Sequence, residues 1–197
     1  MRIPVFVALA LIVGGQRAAL ADGLSAPAAA VSDEGLRDSP AQLNLVGGTS
    51  GAVALVAFSR GFTFASYDYA GRAVEAGGGV RLNPVGPLMV WASGSAILAP
   101  AGGDSGGGRL AAGVAARFGN RWFVRPGLGL SFGVVGSPDG HTFLLPIEGS
   151  VEVGYTWPFL SPYVRVSLGL DSLAGTLVTA RGAVSVGLSI PLGRTGS

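Results

Sequence analysis

The sequence predicts an all-β fold: a closed antiparallel up-and-down β-barrel of about eight strands that crosses a membrane. Three observations predict it. The 197-residue chain is 49% hydrophobic and only 12% charged, with 34 glycines. That is too apolar for an ordinary soluble surface and too glycine-rich for a helical membrane protein. After residue 21 no apolar run is long enough for a spanning helix. In its place stand period-two alternating runs of roughly ten residues or more, the length of a tilted strand crossing the hydrocarbon core.

The elements follow in chain order. Residues 1–21 have the form of a cleavable secretory signal: Arg2 at the start, a short apolar stretch from Ile3 to Val13, and the small-residue cleavage site Ala19-Leu20-Ala21. Residues 22–42, small, polar and proline-bearing, are expected to form a flexible periplasmic segment. The barrel is expected over 43–192, with strands near 51–65, 72–83, 88–98, 109–119, 121–135, 141–157, 162–170 and 177–192, and residues 193–197 as a short tail.

Each strand is justified by its two faces. In 73–82, Val74, Ala76, Val80 and Leu82 oppose Glu75, Gly77, Gly79 and Arg81. In 109–118, Leu110, Ala112, Val114 and Phe118 oppose Arg109, Gly113 and Arg117. In 121–134, Trp122, Val124, Leu128, Leu130 and Phe132 oppose Arg121, Arg125, Gly127, Gly129 and Ser131. In 141–157, Phe143, Leu145, Ile147, Val151 and Val153 oppose Glu148, Ser150, Glu152 and Gly154. The last two strands place Arg165 and Arg181 on the polar face. The polar faces mix Arg and Glu with Gly, Ala and Ser, residues suited to a crowded concave interior. In lipid every backbone polar group needs an internal partner, so such strands must close on themselves.

Two features orient the barrel. The links Asn83–Pro87, Gly119-Asn120 and Pro158–Ser161 read as short turns, and Ala65–Gly71, Ala99–Gly108, Gly136–Gly140 and Asp171–Thr176 as longer loops, which puts the short turns at the periplasmic end with both termini. Trp91, Trp122, Trp157 and Tyr163 lie near those short turns and are expected to form an interfacial girdle, although Trp91 has the parity of the polar face. The first strand has a second reading. Gln42–Val46 alternates, 47–51 has turn composition, and Phe62, Phe64, Tyr67 and Tyr69 alternate on their own. An extra hairpin there raises the count to ten.

The lumen polar network is expected to comprise Glu75, Arg81, Arg109, Arg117, Arg121, Arg125, Glu148, Glu152, Arg165 and Arg181. In a narrow barrel such side chains fill the interior as paired charges and set strand register. The alternative is a narrow anion-favouring channel, because seven Arg outnumber three Glu in this set.

With these patterns the chain resembles the broad family of small outer-membrane β-barrel proteins, porin-like or similar to the transmembrane domain of major outer-membrane proteins. The resemblance covers roughly 43–192 and rests on pattern. It implies outer-membrane lipid as surroundings, and periplasmic chaperones and the barrel-assembly machinery as partners during biogenesis. The chain departs from it at the C-terminus, where Ser189–Ser197 carries no terminal Phe or Trp.

Other chemistry finds little support. All 13 basic residues are Arg, and without Arg2 and Arg17 of the leader 11 Arg face 11 acids, so no nucleic-acid partner is expected. There is no cysteine for a disulfide or a thiolate metal site. His141 is the sole histidine; Ser137-Pro138-Asp139-Gly140-His141 reads as a turn, not a triad. Asp68, Asp104, Asp139 and Asp171 read as loop acids, not a Ca²⁺ site. Neither cofactor, metal nor enzymatic activity is expected. The function expected is a structural or surface-contact barrel; the remaining alternative is a secreted soluble barrel holding an apolar ligand, with its apolar faces turned inward.

Overall fold

The computed structural model describes residues 41–69, 72–83, 86–99, 105–137, 140–173 and 177–193. The expected signal (1–21), most of the 22–42 segment, and residues 194–197 lie outside them. The strands are β1 (Ala41–Gly48), β2 (Gly51–Phe58), β3 (Gly61–Asp68), β4 (Ala73–Leu82), β5 (Leu88–Ala99), β6 (Ser105–Ala116), β7 (Trp122–Ser137), β8 (Gly140–Tyr155), β9 (Ser161–Leu173) and β10 (Leu177–Leu192). Each pairs antiparallel with its chain neighbours, and β1 closes on β10.

The count is therefore ten, as in the second reading of the N-terminal third. The run 51–65 is no single strand: Ser59-Arg60 turns the chain between β2 and β3. Two residues suffice for a hairpin connection, and the flanking run AVALVAF…FTF hides them. β1 starts at Ala41, two residues before the expected start of the barrel at Leu43.

Register fixes the shape. From Asn44 the pairs run through Leu55, Phe64, Gly77, Ser95, Arg109, Gly133, Leu144 and Leu173 to Leu177 on β10. Directly across the seam Asn44 pairs with Ser189 of the same strand, twelve residues further along. That offset is the shear of the barrel, and it requires the strands to tilt by ~40° from the axis.

Alternation then sorts every strand. Leu110 (67% exposed), Leu128, Leu130, Ile147, Val151, Leu168 (70%) and Val186 all face outward. Gln42, Asn44, Leu55, Phe62, Glu75, Arg109, Phe123, Arg125 and Glu152 face inward and are buried. The apolar faces are thus outside, the reverse of what a soluble ligand-binding barrel requires.

The expected contrast in loop length is absent. At the end holding Ala41 and Leu192 the links are 59–60, 83–87, 117–121 and 156–160; at the opposite end they are 49–50, 69–72, 100–104, 138–139 and 174–176. The asymmetry lies in the strands instead: β1 to β3 have 8 residues each, whereas β7, β8 and β10 have 16. The wall is low on one side.

Candidate functional site

The lumen is the candidate site, and it is layered. Toward the end that carries the barrel termini it is filled by Leu55, Phe62, Phe64, Met89, Trp91, Phe123 and Tyr163, one continuous apolar cluster. A smaller cluster of Ala73, Ile97, Val135 and Leu144 packs toward the other end. Charged side chains fill the space between and around these.

Glycine makes room for the aromatic rings. Each of the five lies opposite a glycine on the next strand: Phe62 and Gly79, Phe64 and Gly77, Trp91 and Gly113, Phe123 and Gly154, Tyr163 and Gly187. A Cβ at Gly113 would come within 2.6 Å of the Trp91 ring, and one at Gly154 within 2.5 Å of Phe123. At Gly187 it would fall inside contact distance of Tyr163. Phe62, Trp91, Phe123 and Tyr163 thus occupy the space that a side chain at the facing glycine would take, so the strand pair and the lumen filling are one packing unit. Trp91 (5% exposed) and Tyr163 (4%) therefore sit in the lumen, not in the interfacial girdle where the sequence reading put them.

The ion pairs join neighbouring strands. Arg125 on β7 and Glu152 on β8 are direct register partners; Arg125 Nε donates to Glu152 Oε2 at 2.8 Å, with a second bond from Nη2. On the other side of Glu152 the register partner is Arg165 of β9, whose Nη2 donates to Glu148 Oε1 at 2.6 Å. A third bridge spans three strands: Arg109 Nη1 donates to Glu75 Oε2 at 3.1 Å, and Ser95 from the strand between also donates to Glu75. Arg117 Nη2 donates to Thr156 Oγ1 at 2.8 Å, and its guanidinium carbon stands 3.9 Å over the Phe123 ring centre. Arg81 is buried and Arg181 half-buried, both inward, whereas Arg121 is exposed at the rim. The structure thus gathers Glu75, Arg109, Arg125, Glu148, Glu152 and Arg165 into ion pairs.

Besides Ser95 and Thr156, sequence reading missed three polar contributors, Asn44, Ser189 and Asp68. Ser189 donates to Asn44 across the β1–β10 seam, both buried; only the closure register brings residues so distant in sequence together. Asp68, expected in a loop, is buried at the inner face of β3. Asp104 and Asp139 lie outside the described residues. His141 is exposed on β8. Among the described residues no three His, Cys, Asp or Glu gather as a metal site.

Outside the barrel, aromatic rings form a ladder: Trp122 contacts Tyr155, Tyr155 contacts Trp157, and Trp157 stacks on Phe159. Trp122 and Trp157 thus hold outward positions at the end bearing the termini. Among the described residues no helix is long and apolar enough to cross a membrane, which says nothing of strands.

No family model matches this chain, and no curated protein does. Among solved structures it is similar to the crystal structure of Neisserial surface protein A (NspA), at 14% identity and a TM-score of 0.34, over 77% of this chain and 94% of that one. At that level of similarity the barrel rests on its own strand register.

Proposed function

We propose that this chain is a non-enzymatic integral outer-membrane barrel with a structural or surface-contact role and a lumen filled by its own side chains. The observation that carries the reading is the outward apolar surface. Phe143, Leu145, Ile147, Val151 and Val153 of β8 are each about half exposed, and equivalent positions on β4 to β10 continue the surface round the wall. Soluble monomers rarely expose a contiguous apolar patch beyond a few hundred Å². Phe143 and Tyr155 are twelve residues apart on β8, which at ~3.3 Å per residue and ~40° tilt is ~30 Å of height. An outer-membrane barrel presents an apolar band of about 25 Å flanked by aromatics. A cleavable signal at residues 1–21, and passage through periplasmic chaperones and the barrel-assembly machinery, complete the proposal.

Fractionation tests the location. The protein is expected in the outer membrane, soluble only in detergent, with a gel mobility that shifts on boiling; recovery from the periplasm without detergent would sink it. The filled lumen predicts no steady current in planar bilayers. The second reading, an anion-favouring channel, draws on the excess of inward Arg. It prevails if a steady, anion-selective conductance appears and falls in Arg117→Ala or Arg125→Ala.

A further inference from the structure

The seam between β1 and β10 is incomplete. β1 covers only Ser185–Leu192 of β10. The ladder ends at Thr49, whose N–H donates to the Val184 carbonyl at 3.0 Å and whose Oγ1 accepts from the Val184 N–H at 3.3 Å. Backbone groups along a strand point alternately to its two sides. Those of Gly182, Ala180 and Val178 therefore point the same way as those of Val184, past the end of β1, while those of Arg181 and Ala183 are turned to β9. Among the described residues no strand and no backbone group stands opposite Gly182, Ala180 and Val178. β1, β2 and β3, of 8 residues each, leave this edge open from outside.

The chemistry of the edge selects its ligand. Each of these residues offers one N–H and one C=O to the same side, so donors and acceptors alternate along the strand. An ion would satisfy one set and be repelled by the other; a second extended backbone satisfies both. The side chains define which strand fits. On the outer face beside the edge, Ala180 and Gly182 are small and exposed, which leaves room across from them for large apolar side chains. On the inner face Arg181, Ala183 and Ser185 are half-buried. The complement is an extended segment with apolar residues at alternate positions and small or polar ones between, the pattern of this barrel's own strands.

Two nearer occupants do not fit. The chain that precedes Ala41 joins the barrel at the opposite end, beside Leu192. A second copy inserted the same way round is related to this one by an axis along the membrane normal. That symmetry crosses the two β10 edges at ~80°, twice the strand tilt, and no ladder forms between them. We propose that β10 from Val178 to Gly182 is a docking edge for an extended segment of another polypeptide, added as a strand above the end of β1. This rests on the surface-contact reading above and gives its partner a chemical class.

The test uses the full chain in lipid nanodiscs and a fluorescent synthetic peptide copying Val164–Leu170, which has the required alternation. Amide hydrogen exchange should find the Ala180 and Gly182 N–H groups faster than those of Arg181 and Ala183 in the free barrel, and slowed when peptide is added. Ala180→Pro removes an N–H that β9 does not use. The variant should keep its heat-shifted mobility while peptide affinity falls roughly fivefold to tenfold, the loss of one hydrogen bond. A peptide N-methylated at the positions of Val166 and Ser167, one on each edge, should not bind. Ala180 and Gly182 amides already slow without peptide would show the edge covered, by a second copy or by this chain, and overturn the proposal. Amides that stay fast with peptide present overturn it as well, as does unchanged affinity in Ala180→Pro. Equal binding of the N-methylated peptide marks adsorption to lipid and overturns it whatever Ala180→Pro does. A barrel that fails to enter nanodiscs overturns the membrane reading, and the docking edge with it.

Discussion

Glu152 has no exposed surface and stands between Arg125 and Arg165, its register partners on either side. A buried ion pair adds little net stability over an apolar pair of similar volume, yet removing one member strands a charge. Glu152→Ala should therefore cost about 3–5 kcal/mol, read as a lower urea midpoint for the folded gel band. The double variant Arg125→Met/Glu152→Leu should recover most of that loss; a double variant as weak as the single one would contradict the pairing. Both residues were legible in the sequence as inward-facing. Their partnership was not, because it depends on which residue of β7 stands opposite which residue of β8.

At the scale of elements, the recurring device is an aromatic ring on an odd-numbered strand set opposite a glycine on the following even-numbered one. It appears in the hairpins or pairs β3–β4, β5–β6, β7–β8 and β9–β10. Gly187→Val should displace the Tyr163 ring and destabilise the barrel by about 1–3 kcal/mol, the usual effect of overpacking. Tyr163→Ala combined with Gly187→Val should be more stable than Gly187→Val alone, measured by the same urea titration; additive losses would refute the coupling. Glycine on the inward parity was visible in the sequence, but the ring above it was not. Trp91 and Tyr163 read as interfacial because both lie near strand ends, although Trp91 has the parity of the polar face and Tyr163 that of Arg165; nearness to a short turn outweighed parity in that reading. The split of 51–65 into two strands was equally hard to see, since Ser59-Arg60 interrupts an apolar run without Pro, Asn or Asp.

For the whole molecule, the outward aromatics and the lumen aromatics should report different surroundings. In single-tryptophan variants reconstituted with lipids brominated near the headgroup, Trp122 and Trp157 fluorescence should be strongly quenched and Trp91 little affected. Strong quenching of Trp91 would place that ring outside the lumen and refute the filled interior. The sequence by itself determined the fold class, the apolar face of each strand and the charges opposite it, because a period of two is a local property that each strand carries alone. Tertiary structure decided the rest: ten strands, a shear of twelve residues, the pairing of each Arg with a particular Glu, and a wall that is low beside β10. These depend on closure, where strands far apart in sequence, such as β1 and β10, must accept one another's register. A one-residue slip there would turn every side chain to the other face, and no local pattern encodes which partner is across the seam.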